Sequence, residues 1–425
     1  MITPDSTEMT PFKFGLLICS LFIVLAFGLP AKAFTSDMVF WNWWSDEILL
    51  HGIAHINSNG SNYPPLIHYF FWVFAKINGS VESINHNLKY VKLIPLAFDF
   101  IGALSLFFLM PRFKRDWFAP LFLLLNIAYL YNSYCWGQVD SIHTTLTLIA
   151  FIFALKERAA FSLLFFVLAV NMKVQAIIFL PLLGLLLLPT FIAQPKNIAT
   201  ALGTAILVQL LVLLPFILEG TVPEVWATIT GSVDFYPIIS MNAFNYWHLF
   251  FNSQQAWELD SQLFAGITYK HWGLLLFCLT SAMALFPLLL ISLNSIWRKD
   301  FSTPAYRMIV FLSAGLIALV FFYFNTQMHE RYSHPALIMV FIFSWYSKKY
   351  LLSVIVFAAY FLNMEKIARF LELENYHTLI FSPIFIALLY LASILLAFYH
   401  LYKYVNLRKE LEYLVVQCKR ISSNA

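Results

Sequence analysis

The residues best equipped for chemistry lie between Asp37 and Leu66, where three carboxylates, Asp37, Asp46 and Glu47, sit among Trp41, Trp43, Trp44 and Tyr63. A carboxylate just above a bilayer can take a proton from a hydroxyl or meet a lipid headgroup. The rings belong at a lipid-water boundary, with one edge wet and the body apolar, and Tyr63-Pro64-Pro65 turns the chain back toward the membrane. Taken singly, each acid could as well be a group that only solvates a loop. If the stretch is helical, positions 46 and 47 are rotated from position 37 by about 180° and about 80°, so Asp37 faces a cavity alone.

Four more polar clusters stand at the mouths of apolar segments: Asn132–Ser141, with Gln138 and Asp140; Asn171–Gln175, with Lys173 and Gln175; Met241–Trp247, with Asn242 and Asn245; and Gln327–Tyr332, with His329, Glu330 and Arg331. Ionisable groups at membrane depth are costly unless they pair or face water, so four such clusters on one side point to a shared cavity. Plainer roles exist for most of them. Asp140 and Lys173 can be an ion pair that fixes helix packing, Asp99 a buried structural acid, Asn242 and Asn245 caps, and Gln138 a bridge between helices. His329-Glu330-Arg331-Tyr332 is harder to explain that way, because Arg331 suits paired hydrogen bonds to phosphate oxygens.

The elements that must position these groups follow from composition. With 61% hydrophobic, 18% aromatic and 11% charged residues and a mean hydropathy of +0.75, the 425-residue chain is an all-α polytopic membrane protein forming a single domain, 1–425. Apolar segments fall at 14–30, 89–110, 117–135, 141–155, 161–193 (two short spans meeting near Asn171–Gln175), 198–218, 271–293, 306–326, 335–347, 351–364 and 378–400, which makes about 12 transmembrane helices. The N-terminal run is read as a retained span, since its flank is not basic. Most Lys and Arg, including Lys13, Arg112, Lys114, Arg115, Lys156, Arg158, Arg298, Lys299, Lys348 and Lys349, fall on one side if the N-terminus is cytoplasmic. Both long loops, 31–88 and 219–270, are then outside. Pro64–Ile77 is too short to span and reads as a helix in the interface. The 402–425 tail reads as a basic cytoplasmic helix, a solvated anchor. The four cysteines form no CxxC pair, and neither a disulfide framework nor a metal site is indicated. The scattered basic residues do not suit nucleic acid.

YPPL with Asp37 upstream, WGQVDS, NMKVQAIIFLP, NAFNYW and MHERY together resemble the GT-C polyprenyl-phosphate-sugar-dependent glycosyltransferases, in particular bacterial multi-pass mannosyltransferases and dolichyl-phosphate-glucose glucosyltransferases. The resemblance runs from about residue 37 to 335. It implies a catalytic base at Asp37, with Asp46 and Glu47 as departures from the family pattern that leave the assignment open. His329, Arg331 and Lys173 would hold the donor phosphate, supported by Glu330, Asp140, Gln138, Gln175, Tyr63 and Asn245. It also implies inverting transfer of a hexose from a polyprenyl-phosphate-linked sugar to a glycan or lipid acceptor, with no cofactor, on the non-cytoplasmic face of the plasma (inner) membrane. A multi-pass transporter or flippase of a lipid-linked saccharide is the competing class, and a polymerase or ligase of surface polysaccharide a third.

Overall fold

A computed structural model describes residues 9–31, 36–110, 116–232, 234–298 and 303–424. Arg112, Lys114, Arg115 and Lys299, which enter the sidedness argument, lie outside the described residues. The described residues are 77% helical. A hairpin of two-residue strands, Leu263–Phe264 against Ile267–Thr268, interrupts the 219–270 loop.

Among the described residues seven helical runs are long and apolar enough to cross a membrane: Val81–Phe108, Val174–Ala193, Lys196–Leu218, Tyr269–Arg298, Pro304–Phe324, Leu351–Ala368 and Pro383–Tyr404. Phe118–Leu124 and Ile127–Trp136 form an apolar pair bent by 59°, and Pro11–Phe27, Asp140–Leu155, Ala159–Met172 and His334–Ser347 are shorter apolar helices. The chain is therefore a multi-pass membrane protein. Its core is the hairpin of Pro304–Phe324 and His334–Ser347, buried along almost their whole length. Lys196–Leu218 lies at the rim and turns Leu202, Ile206, Leu210 and Leu214 outward. That stripe recurs every fourth residue, as a lipid-facing helix surface requires.

Two breaks bring polar groups inward. Lys173 is extended (φ −156°, ψ 124°) between Ala159–Met172 and the helical run from Val174, where the sequence reading sets a junction of two short spans. In the bent pair, Asn126 caps the second helix by accepting from the Ala128 amide at 2.9 Å. That helix runs into a π-turn, Tyr131–Trp136, which ends at Gly137.

The first long loop departs from its sequence reading in one respect. Ser36–His51 is a helix, yet Trp41 and Trp44 are only 1% and 2% exposed, against 39% for Trp43. With Tyr63 and Phe71 they form a closed aromatic cluster, with Trp41 5.2–5.6 Å from the other three ring centroids. They are core residues of the loop rather than wet boundary rings, because the Leu66–Asn78 helix folds back over them. That helix is too short to span. It buries Ile67, Phe71, Phe74 and Ala75 and exposes Trp72, Val73 and Ile77. The tail helix has no buried residue from Leu407 to Arg420, and one acid ties it down. Leu407–Asn424 is helical, and its Glu410 is held by Asn294 Nδ2 at 2.6 Å and Arg298 at 2.9 Å, so an acid docks it against the end of Tyr269–Arg298.

Candidate functional site

Asp37 stands in the first turn of Ser36–His51, where the helix dipole favours a carboxylate. Trp136, at the end of the π-turn, donates its indole N–H to Asp37 Oδ2 at 2.9 Å, and Arg331 Nη2 lies 3.7 Å from Oδ1. Burial works to raise the Asp37 pKa. The Arg331 charge, the hydrogen bond from Trp136 and the charge of Lys173 outweigh it, so the carboxyl sits below its ordinary range. Asp46 and Glu47 go elsewhere. Asp46 accepts from Asn42 Nδ2 at 3.2 Å, while Glu47 accepts from Asn59 Nδ2 at 2.8 Å and lies 3.8 Å from His51. On the Ser36–His51 helix Asp46 and Glu47 therefore have partners apart from those of Asp37.

Asp140 and Lys173 form a buried ion pair. Asp140 also accepts from Asn132 Nδ2 at 3.0 Å and lies 3.7 Å from Arg331 Nε, so the two cations share it. Lys173 owes this reach to the break in the chain, since an extended residue between two helices can send its side chain inward. Its ammonium lies 4.4 Å from the Tyr332 ring centroid.

Arg331 comes from the connection between the two most buried helices, so its backbone is rigidly placed. Its Nη1 donates to Glu330 Oε1 at 2.7 Å and approaches His329 Nδ1 at 3.3 Å. Burial works against the Arg331 charge, but Asp37 and Glu330 hold it protonated. Because a guanidinium can only donate, His329 Nδ1 accepts, and the ring proton belongs on Nε2. Burial and the positive charges of Arg331 and Lys173 keep the imidazole neutral, well below its usual pKa. His329 thus offers an N–H donor and no charge. Its ring lies 5.5 Å from Tyr236 and 5.0 Å from Tyr332.

Gly137 sets the spacing of this corner. Its carbonyl accepts Trp41 Nε1 at 2.8 Å. A Cβ there would stand 2.6 Å from Met38 Sδ and 3.1 Å from Lys92 Cε, at a φ of +83°.

A cavity of about 330 Å³ opens beside the cluster, and its lining includes polar side chains, among them Tyr63, Lys173, Gln175, Tyr236 and Tyr332, and apolar ones, among them Ile177, Ile178, Leu274 and Phe321. Gln175 donates to the Tyr332 carbonyl at 2.9 Å. Tyr63 packs beneath the cluster against Trp41 and Trp44. Of the residues singled out in the sequence, the structure gathers Asp37, Gln138, Asp140, Lys173, His329, Glu330 and Arg331, with Gln175 and Tyr63 at the cavity wall.

Asn245 is not brought in. It caps the Tyr246–Leu249 turn through the Trp247 amide (3.3 Å) and donates to the Phe322 carbonyl (3.1 Å). The NAFNYW segment reaches the cluster through backbone instead, as Met241 and Asn242 bridge to His329. Asp99 is a buried acid that accepts from Ser133. The sequence does not single out Trp136 or Asn132 as partners of the two aspartates, although both lie inside the polar stretch around WGQVDS.

No protein-family model matches this chain, and no curated protein is significantly similar to it.

Proposed function

We propose that this chain is an integral membrane glycosyltransferase. It moves a hexose of the mannose or glucose class from a polyprenyl-phosphate sugar to a lipid-linked or surface glycan acceptor, on the non-cytoplasmic face of the plasma (inner) membrane. The observation that carries this reading is the meeting of Asp37, 19% exposed at its side chain, with the buried Arg331 and Lys173 beside a cavity lined by both polar and apolar side chains. Such a cavity suits a phosphate with a hydrocarbon tail. The motif resemblance supplies the reaction type. Taking the seven long helices, the bent pair as one span and the four shorter helices all as crossings makes twelve, with both termini cytoplasmic.

In this mechanism the acceptor oxygen attacks the anomeric carbon as the bond from that carbon to the phosphate oxygen breaks, and the hydroxyl proton passes to Asp37. A carboxylate with a depressed pKa is a weak base toward a free hydroxyl. The hydroxyl becomes far more acidic as its oxygen bonds to carbon, so the proton moves late and Asp37 remains ionised and ready. The departing polyprenyl phosphate is a stable anion and needs charge stabilisation rather than a proton. Lys173 and Arg331 supply the charge and His329 Nε2–H a neutral hydrogen bond. Arg331 is occupied by Asp37, Asp140 and Glu330, so donor binding would redirect part of its fork.

The test is consumption of polyprenyl-phosphate mannose or glucose by the purified protein in nanodiscs, with the hexose recovered on an extracted lipid-linked or surface glycan. Movement of a labelled lipid-linked saccharide between leaflets with its glycosidic bonds intact would instead favour the flippase. Reporter fusions at Gly60 and Lys348 should report opposite sides; the same side for both would undo the orientation.

A further inference from the structure

A second cavity, of about 500 Å³, lies beyond the Met241–Asn245 segment and is lined by Asn242, Phe244, His248, Trp257, Lys366 and Arg369 together with Ser253, Ile367 and Pro383. It joins the 219–270 loop to the end of Leu351–Ala368 and the start of Pro383–Tyr404, so all three meet on one side of the membrane. Among the described residues that line it there is no Asp or Glu, while Lys366 and Arg369, three positions apart, bring two positive charges to it. The Lys366 ammonium donates to the Tyr376 carbonyl at 2.6 Å and has two further protons to offer. His248 is buried, and its Nδ1 has no hydrogen-bond partner among the described residues.

The surroundings say what kind of anion this is. Leu379 and Ile380 are exposed just ahead of Pro383, and Ile384 and Leu388 are exposed one turn apart on the helix that Pro383 begins. Exposed apolar side chains therefore continue along this helix from Pro383, which lines the cavity. The indole of Trp257 is also exposed at the rim, the position such rings take at headgroup level.

We infer that this cavity binds a lipid-borne phosphate, its oxygens between Lys366 and Arg369 and its hydrocarbon chain along Ile384 and Leu388. The site is separate from the Asp37 cluster, and the inference does not depend on hexosyl transfer. Two sources share this chemistry: an isoprenoid carrier phosphate and a bulk anionic phospholipid. Arg369 also faces a smaller hollow with Glu372 and Glu374, and the phosphate would draw its guanidinium away from them.

The experiment is native mass spectrometry of the full chain released from phosphatidylcholine nanodiscs doped with either a polyprenyl monophosphate or phosphatidylglycerol. Wild-type protein should retain a phosphate lipid in preference to phosphatidylcholine. Replacing both Lys366→Gln and Arg369→Gln should lower that retention on the order of tenfold, as expected when charge-assisted contacts are lost. Lys196→Gln, a charge change on an exposed helix start, should leave it alone. Preference for the polyprenyl monophosphate assigns the cavity to an isoprenoid carrier, and equal retention of both dopants assigns it to anionic lipid in general. Unchanged retention in the double variant overturns the site. Should that variant fail to fold, Lys366→Gln and Arg369→Gln are read singly, and unchanged retention in both overturns it as well.

Discussion

Trp136 gives its indole N–H to Asp37 at 2.9 Å across 99 positions of sequence. One oxygen of the acid is thereby fixed by a residue of the bent span, and the other is left toward Arg331. The carboxylate is aimed by two elements that have no local reason to meet, the first loop helix and the π-turn.

Asp37→Asn keeps size and one acceptor but removes the basic oxygen. Hexosyl transfer should fall by about 10²–10⁴, the range for loss of a general base, and the melting temperature should drop as well, because the buried Arg331 loses one of its acids. Asp46→Asn and Glu47→Gln, whose partners are Asn42 and Asn59, should stay within a few-fold of wild type. Full activity in Asp37→Asn would remove the base from that position.

Arg331→Lys retains charge and loses the fork that reaches Asp37, Asp140 and Glu330. A single ammonium cannot serve all three acids, so both turnover and thermal stability should drop. The drop in stability should be smaller than the ~3–5 kcal/mol that follows removal of a buried charge altogether, since the cation is kept. Turnover with a polyprenyl-phosphate hexose and a melting curve read the two effects, and a variant normal in both would take Arg331 out of the site.

Lys173 and Asp140 should show strong coupling. Lys173→Met leaves a buried carboxylate short of a cation, and Asp140→Asn leaves a buried ammonium short of an anion. Each single change should therefore destabilise more than half as much as the two together. Strict additivity of the three unfolding free energies would mean that the pair, although in contact, is energetically silent.

His68 makes stability fall on acidification. It is fully buried beside Ser61 Oγ at 3.1 Å, and burial lowers its pKa from 6.5 to about 3. The unfolded chain takes a proton below about pH 6.5 while the folded one does not, so this contribution is complete above that pH and shrinks as pH drops toward 3. From pH 6.5 to 5 the loss is about 2 kcal/mol. His68→Gln should flatten the melting temperature between pH 7 and 5 relative to wild type, and parallel curves would assign the acid sensitivity to other groups.

What could be read from the sequence depended on whether a periodic or polar signal had one physical meaning. The 100° helical step separates Asp37 from Asp46 and Glu47 wherever the segment lies, and Asp46 and Glu47 have partners apart from those of Asp37. A polar Asn171–Gln175 run inside an apolar stretch can hardly stay helical in lipid, and the break at Lys173 follows. Trp41 and Trp44 carried a signal with two meanings, since an amphipathic ring suits both a membrane boundary and the inside of a folded loop. Only the return of the Leu66–Asn78 helix decides between them. Asn245 was ambiguous in the same way, and capping accounts for it. The indole of Trp136 and the amide of Asn132 find their aspartates through the bend in one span, which no local pattern encodes.

Gly137 has a consequence for how this protein would read in a mutational scan. Any side chain at that position meets Met38, the neighbour of Asp37, and Lys92, and it strains the carbonyl on which Trp41 hangs. Position 137 would score as intolerant as the acid itself while having no functional group to contribute. Intolerance there would measure clearance between two helices, the width of one absent methyl, and only a readout that separates Asp37 geometry from Asp37 chemistry would tell the two apart.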